Sequence, residues 1–299
     1  MQRKITHYLI ITLLTLVALP CFAQNVTPPV PEIYDQAIAK AEKKPGIVDT
    51  IEVMSTKMGR VIKNTVVLPA QYTQKGNSIK RFPVIYLLHG AWGSYRDWPK
   101  KADLRSLASQ YSVIFVCPDG QDSWYFDSPI DPTFQFETYI TQELRTYIES
   151  HYRTINEAKY RAITGLSMGG HGALWLGWRH PNIYGACGSM SGGVDIYNFP
   201  NKWKINERLG EYESNKEVWK EHSVMNLVPT LEPGQSIIID DGNKDIFINE
   251  NNALHEALDK QGIPHDYIVR PGNHSWTYWV NSLDYQVLFF YKSFNSGVK

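Results

Sequence analysis

Gly165-Leu166-Ser167-Met168-Gly169-Gly170 sets one serine between glycines, after a strand-like run from Tyr160 to Thr164 and before a helix-like run from His171 to Trp178. A serine hydroxyl is a weak nucleophile until a neighbouring base takes its proton, and the base needs a third group to orient it. A sharp strand-turn-helix bend holds such a serine out above a sheet in a strained backbone conformation. Bulky side chains two residues before or after it would strike neighbouring backbone, which accounts for Gly165 and Gly169. The chemistry this spacing offers is attack on a carbonyl carbon, provided that an acid and a histidine follow.

Both follow. The strand-like run Ser236 to Ile239 leads into Asp240-Asp241-Gly242-Asn243-Lys244-Asp245. Asp240 and Asp241 lie at the strand end, where side-chain-to-backbone bonds can organise a turn; Asp245, beyond the Gly-Asn pair, is better placed to reach a histidine. Pro271-Gly272-Asn273-His274-Ser275-Trp276 then supplies His274 on a loop after the last strand. His171 and His255 fall in helix-like runs, and His151, His180 and His222 in polar helix-end settings that read as solvated. A tetrahedral oxyanion needs backbone N–H donors. Met168 offers one beside Ser167, and Ala91 offers the other from His89-Gly90-Ala91-Trp92-Gly93. Trp92, Trp124, Tyr125, Trp276, Tyr278 and Trp203 read as loop aromatics at the strand ends, able to stack on a ligand ring or to pack the loops onto the sheet. No His, Asp and Glu cluster has metal-ligand spacing, so neither a metal nor a cofactor is expected.

These residues need a scaffold, and the hydrophobic pattern describes one. Two alternating runs, Thr50 to Thr56 and Arg60 to Leu68, flank Lys57-Met58-Gly59 and read as a hairpin. Continuous apolar runs then alternate with helix-like ones, the signature of buried parallel strands and crossover helices. The strand-like runs are Val84 to Leu88, Val113 to Val116, Arg161 to Thr164, Gly185 to Met190, Ser236 to Ile239 and Asp266 to Val269. The helix-like ones centre on Leu104 to Tyr111, Phe136 to Tyr152, Gly170 to Arg179, Asn249 to Gln261 and Tyr278 to Ser293. The expected architecture is α/β: an eight-stranded, mostly parallel sheet flanked by helices, as one domain over residues 47–299. Asp195 to Val228 interrupts the rhythm and reads as a small cap or a surface excursion.

With a formal net charge of zero and no long basic run, the chain offers nothing to bind nucleic acid. Arg3 and Lys4, the short apolar run Tyr8 to Leu19 and Cys21-Phe22-Ala23 read as a cleavable signal peptide over residues 1–23, too short to span a membrane. Lipid attachment at Cys21 fits less well after Pro20. A secreted or periplasmic protein is therefore expected, with residues 24–46 as a Pro-rich, then charged, extension. Cys117 and Cys187 lie in strands that would not be neighbours, and read as buried small hydrophobes.

Residues 161–174, Arg-Ala-Ile-Thr-Gly-Leu-Ser-Met-Gly-Gly-His-Gly-Ala-Leu, resemble the esterase D-like family of α/β-hydrolases. Leu87-Leu88-His89-Gly90 with Trp98, Pro118-Asp119-Gly120 before Ser123-Trp124-Tyr125, Glu137-Thr138-Tyr139, His180-Pro181 and Ser189-Met190-Ser191-Gly192 resemble it as well, from about residue 50 to 294. That family includes S-formylglutathione hydrolases, tributyrin esterases, feruloyl and acetyl-xylan esterases of carbohydrate esterase family 1, and mycolyltransferases. The resemblance implies a nucleophile at Ser167, an acid at Asp245, a base at His274 and oxyanion donors at Ala91 and Met168. It implies an exported serine carboxylesterase without cofactor, acting first on feruloyl or acetyl esters of plant polysaccharide. Short-chain acylglycerols, a thioester or acyl transfer are the alternatives within that chemistry. From another class, a non-catalytic binding protein on the same scaffold is the alternative.

Overall fold

The computed structural model describes residues 46–296. The leader read over 1–23 and nearly all of the extension read over 24–46 lie outside the described residues. The hairpin forms where alternation predicts it: Ile47–Ser55 (β1) pairs antiparallel with Arg60–Leu68 (β2), Ser55 opposite Arg60. Six further strands follow: Val84–Leu88 (β3), Ile114–Pro118 (β4), Arg161–Gly165 (β5), Ala186–Met190 (β6), Ser236–Gly242 (β7) and Asp266–Arg270 (β8). They join one eight-stranded sheet in the order β1-β2-β4-β3-β5-β6-β7-β8. β2 meets β4 antiparallel, and β4, β3 and β5 to β8 run parallel. β7 extends through Asp240, Asp241 and Gly242, so two aspartates read as turn residues belong to the strand itself.

Continuous apolar strands are buried on both faces, and alternate side chains go to opposite layers. On one face Ile85, Leu87, Phe115, Ala186 and Ile238 pack against helices Leu104–Tyr111 (α1) and Trp276–Asn295 (α5), through Leu104, Ala108, Leu283, Val287 and Phe290. On the other, Val84, Tyr86, Ile114, Val116, Ile163 and Ile239 meet three helical stretches. These are residues 136–151 (α2, with π-helical turns over Tyr139–Leu144), Met168–Arg179 (α3) and Ile248–Gln261 (α4). Each fully buried side chain of this size contributes about 1.5–3 kcal/mol relative to exposure. Cys117 and Cys187 belong to opposite layers and are free.

The topology places chemistry at one edge. Because β3, β5, β6, β7 and β8 run parallel, the loops after them gather at the same end of the sheet. β3 neighbours β5, and β7 neighbours β8, with β6 between the pairs. The segment from Ser191 to Leu231 folds as short helical turns without a core strand, burying Ile196, Ile205, Leu209 and Trp219. Arg208 anchors it, bonded to Asp131 at 2.9 Å, and its main-chain carbonyl accepts from Ser128 Oγ at 2.6 Å. Among the described residues no helix is long and apolar enough to cross a membrane.

Candidate active site

Ser167 sits at the bend between β5 and α3 with φ 55° and ψ −118°, far from relaxed backbone. Two contacts enforce it. Ser167 N–H donates to Met190 O at 2.9 Å, and the backbone closes so tightly that glycine alone fits on either side. A Cβ at Gly165 would lie 2.6 Å from Gly169 O, and one at Gly169 would lie 2.6 Å from the carbonyl oxygens of Leu88 and His89. The strain raises the hydroxyl above the sheet edge.

The loops after β7 and β8 deliver the other two groups to this point. His274 Nε2 lies 3.0 Å from Ser167 Oγ, and His274 Nδ1 lies 2.9 Å from both carboxylate oxygens of Asp245. Nδ1–H therefore donates to Asp245, and Nε2 turns its lone pair to the serine. The Asp245 side chain is fully enclosed and also accepts from Phe247 N–H at 3.0 Å. The His274 ring stands edge-on between Phe247 and Trp279, at centroid distances of 5.2 and 4.8 Å. Aromatic walls exclude water and lower the local dielectric, which strengthens both hydrogen bonds. Asp241 is a second carboxyl close by: burial, then the charge of Asp245, pushes it up to about 8. Asp240 instead ties β7 to its neighbours, accepting from Tyr278 Oη at 2.5 Å, Ser282 Oγ at 2.6 Å and Arg270 Nη2 at 2.5 Å.

Ala91 and Met168 are brought to the same place. Gly90 abuts the elbow closely enough that an added methyl would meet Ser167 Cβ at 3.3 Å. Neither the Ala91 nor the Met168 amide donates to another group among the described residues. The loop carrying Ala91 is held from behind. Tyr125 Oη donates to His89 O at 2.9 Å, Gly120 N–H donates to His89 Nε2 at 2.8 Å, and Trp98 Nε1 donates to Leu88 O at 2.9 Å.

The aromatics divide into different roles. Tyr125 is 0% exposed and supports the His89 loop, so it is a positioning group rather than a ligand contact. Trp276 and Tyr278 are in the first turns of α5, not in a loop: Trp276 stacks edge-on against Trp98, and Tyr278 is bonded to Asp240. Trp92 is 71% exposed, and its N–H donates to Asp122, whose carboxylate pairs with Lys204 at 3.3 Å. Trp124 is only 2% exposed, but its ring edge borders Gly193, whose N–H donates to Ser167 O at 3.3 Å. A continuous wall runs from Trp124 to Trp203 (6.3 Å), then Phe247 (5.3 Å), then His274, with Phe199 against both Trp203 and Phe247. Sequence reasoning missed Phe199 and Phe247; the only signal for Phe247 was its place two residues after Asp245. Trp92, Gln121, Trp124, Tyr125, Ser167, Ser191, Trp203 and Lys204 all take φ between 47° and 64°. Such strain, of order 1–3 kcal/mol each, persists only where packing over-determines the backbone.

Three expectations about polar groups change. His180 and His222 are not free in solvent: His180 Nε2 bonds Glu137 at 2.8 Å, His222 Nδ1–H donates to Val218 O at 2.7 Å with its ring stacked on Trp175, and the His222 carbonyl accepts from His171 Nε2 at 2.9 Å. His171 is buried, and burial lowers it to about 4. The third concerns metal-ligand spacing. His255, Asp259 and His265 each place one ligand atom within 4.8 Å of the others, a cluster formed by the turn after α4 and invisible as a linear motif.

A strained serine at a strand-to-helix bend, on an eight-stranded and mostly parallel sheet with helices on both faces, defines an α/β-hydrolase fold. Residues 55–290 match the Esterase family, described as "Putative esterase". The chain belongs to this family and is a carboxylic ester hydrolase. It is 26% identical over 237 residues to an acetyl esterase of Caldicellulosiruptor saccharolyticus, covering 73% of this chain and 89% of that protein. An S-formylglutathione hydrolase of Rattus norvegicus is 24% identical over 259 residues, covering 77% and 88%. A solved structure of a ferulic acid esterase superposes with a TM-score of 0.74 at 27% identity, covering 84% of this chain and 99% of that one.

Proposed function

We propose that this protein is an exported serine esterase in which Ser167, His274 and Asp245 form the catalytic triad. The observation that carries the reading is the unbroken relay from Asp245 through His274 to Ser167 Oγ, with links of 2.9 and 3.0 Å. His274 Nε2 takes the Ser167 proton as Oγ attacks the ester carbonyl, and the oxyanion is received by the free N–H groups of Ala91 and Met168. His274 then protonates the departing alcohol, leaving an acyl-serine. Water, deprotonated by the same nitrogen, releases the acid and restores the hydroxyl. Asp245 holds the imidazole tautomer and stabilises its transient positive charge.

For substrate, the reading is feruloyl or acetyl esters carried on plant polysaccharide. The wall of Trp203, Phe199 and Phe247 beside His274 supports an aromatic acyl group, and the likeness to a ferulic acid esterase and an acetyl esterase points the same way. Export rests on the charged start and short apolar run of residues 1–23.

Turnover of methyl ferulate, acetylated xylan and tributyrin side by side tests the substrate, with fluorophosphonate labelling testing the serine. The expected result is rapid labelling that disappears in Ser167→Ala, and highest kcat/KM on methyl ferulate or acetylated xylan. Tributyrin as the clearly preferred substrate would replace the polysaccharide reading; absence of labelling would favour a binding protein on a hydrolase scaffold.

A further inference from the structure

We infer that His255, Asp259 and His265 form a binding site for a divalent transition-metal ion, zinc fitting best, which ties the C-terminal half of α4 to the chain leading into β8. His255 and Asp259 are four residues apart on one face of α4. Gly262 ends that helix at φ 72°, and the chain turns back through Ile263 and Pro264 to set His265 opposite His255. One ligand atom from each of the three lies within 4.8 Å of the others.

The hydrogen bonds already hold the rings as a ligand pair requires. His265 Nδ1–H donates to Ile263 O at 2.8 Å, so its Nε2 presents a lone pair; a ligating histidine is normally fixed by this kind of outer bond. His255 Nδ1 faces that Nε2 at 2.8 Å and, without an ion, donates its proton there. On the far side of the same ring, His255 Nε2 lies 3.6 Å from Asp259 Oδ2. Moving the neutral His255 proton from Nδ1 to Nε2 changes no net charge. It leaves two lone pairs converging on one point and sets Nε2–H towards the Asp259 carboxylate. At metal–nitrogen distances of about 2.0–2.1 Å the two nitrogens need to part to roughly 3.3 Å, a small rotation at a half-buried surface. Tyr267, stacked on His255 at 4.6 Å and anchored to Asn252 at 2.7 Å, limits larger movement.

Two imidazoles and one carboxylate suit zinc and its neighbours, whereas calcium and magnesium prefer oxygen alone. Asp259, on the Nε2 side of His255, orients that ring from outside, and water completes the shell. The site stands apart from Ser167. His265 precedes the five-residue β8 and His274 follows it, so about 15 Å of strand separates them. The connection is mechanical: α4 joins β7 to β8, and the loops after those strands carry Asp245 and His274. An ion here would brace that unit without touching the reacting atoms.

Tag-free protein stripped by chelation is titrated calorimetrically with zinc chloride and melted with and without it, beside His255→Ala/His265→Ala, His265→Gln and Asp259→Asn. The wild type is expected to take one zinc per chain with a micromolar dissociation constant. Its Tm should rise by roughly 5 °C at a zinc concentration 100-fold above that constant. The double variant and His265→Gln should lose both effects, Asp259→Asn should weaken binding about 10-fold, and all should keep the metal-free esterase rate, which shows them folded. No saturable binding by the wild type, or undiminished binding by folded double variant and His265→Gln, overturns the assignment.

Discussion

The elbow around Ser167 and the aromatic wall from Trp124 to Phe247 border the same space but are built differently. At the elbow backbone meets backbone: an added Cβ at Gly165 or Gly169 would come within 2.6 Å of a carbonyl oxygen. Along the wall, side chain meets side chain at centroid distances of 5.1–6.3 Å, and short helical turns rather than strands carry Phe199 and Trp203. Groups that must hold a reacting atom in place are fixed by main-chain packing. The wall proposed to choose the ligand is made of side chains.

Substitutions at the two regions should therefore fail in different ways. Ser167→Ala removes the proposed nucleophile, and kcat/KM on p-nitrophenyl acetate should fall by about 10⁴-fold or more with little change in Tm. Gly169→Ala drives a methyl into the carbonyls of Leu88 and His89, displacing the elbow and the Ala91 loop together. A kcat loss of about 100-fold accompanied by a lower Tm is expected; normal turnover would erase the contrast between the regions. Trp203→Ala opens the wall and leaves Ser167 alone. KM for methyl ferulate should rise roughly 10-fold while p-nitrophenyl acetate turnover stays within about 3-fold, and an equal effect on both esters would make Trp203 part of the elbow's scaffold.

The smallest expected effect is on stability. Burial holds Asp241 protonated in the folded protein, pushed up to about 8 against an ordinary value of 3.8 in the unfolded chain. Between those values the unfolded chain binds fewer protons than the folded one, so this residue lowers stability as pH rises from about 4 to 8. Asp241→Asn removes the titration, and its Tm should exceed wild type by about 2–4 °C at pH 8 and by nothing near pH 4. His171 acts in the opposite direction: held neutral down to about 4, it weakens the folded state as pH falls from 6.5. Melting curves across this range separate the two residues.

Much of the site was legible because it depends on local geometry. The run from Tyr160 through Gly170 specifies a strand, a bend that only glycine-flanked serine tolerates, and a helix; the order of Asp245 and His274 after it follows from the parallel topology. Continuous apolar runs located every strand from β3 to β8, to within two residues except at the end of β7, which continues three residues further. Roles that depend on contacts across tens of residues were not legible. Tyr125 looks like a ligand-stacking aromatic until its hydroxyl is seen on His89, 36 positions away. Asp240 and Asp241 look like turn residues until β7 is seen to continue through them.

By itself, then, the sequence determined the sheet, the elbow and which serine, acid and histidine lie in loops at one edge, because hydrophobic periodicity and backbone sterics act between near neighbours. Only the tertiary structure decided that His274 spans from Asp245 to Ser167, that Phe247 and Trp203 share one wall, and that His255 meets His265. Those distances are set by how β7, α4, β8 and α5 pack on one another, and no spacing along the chain encodes the angle at which two packed elements meet.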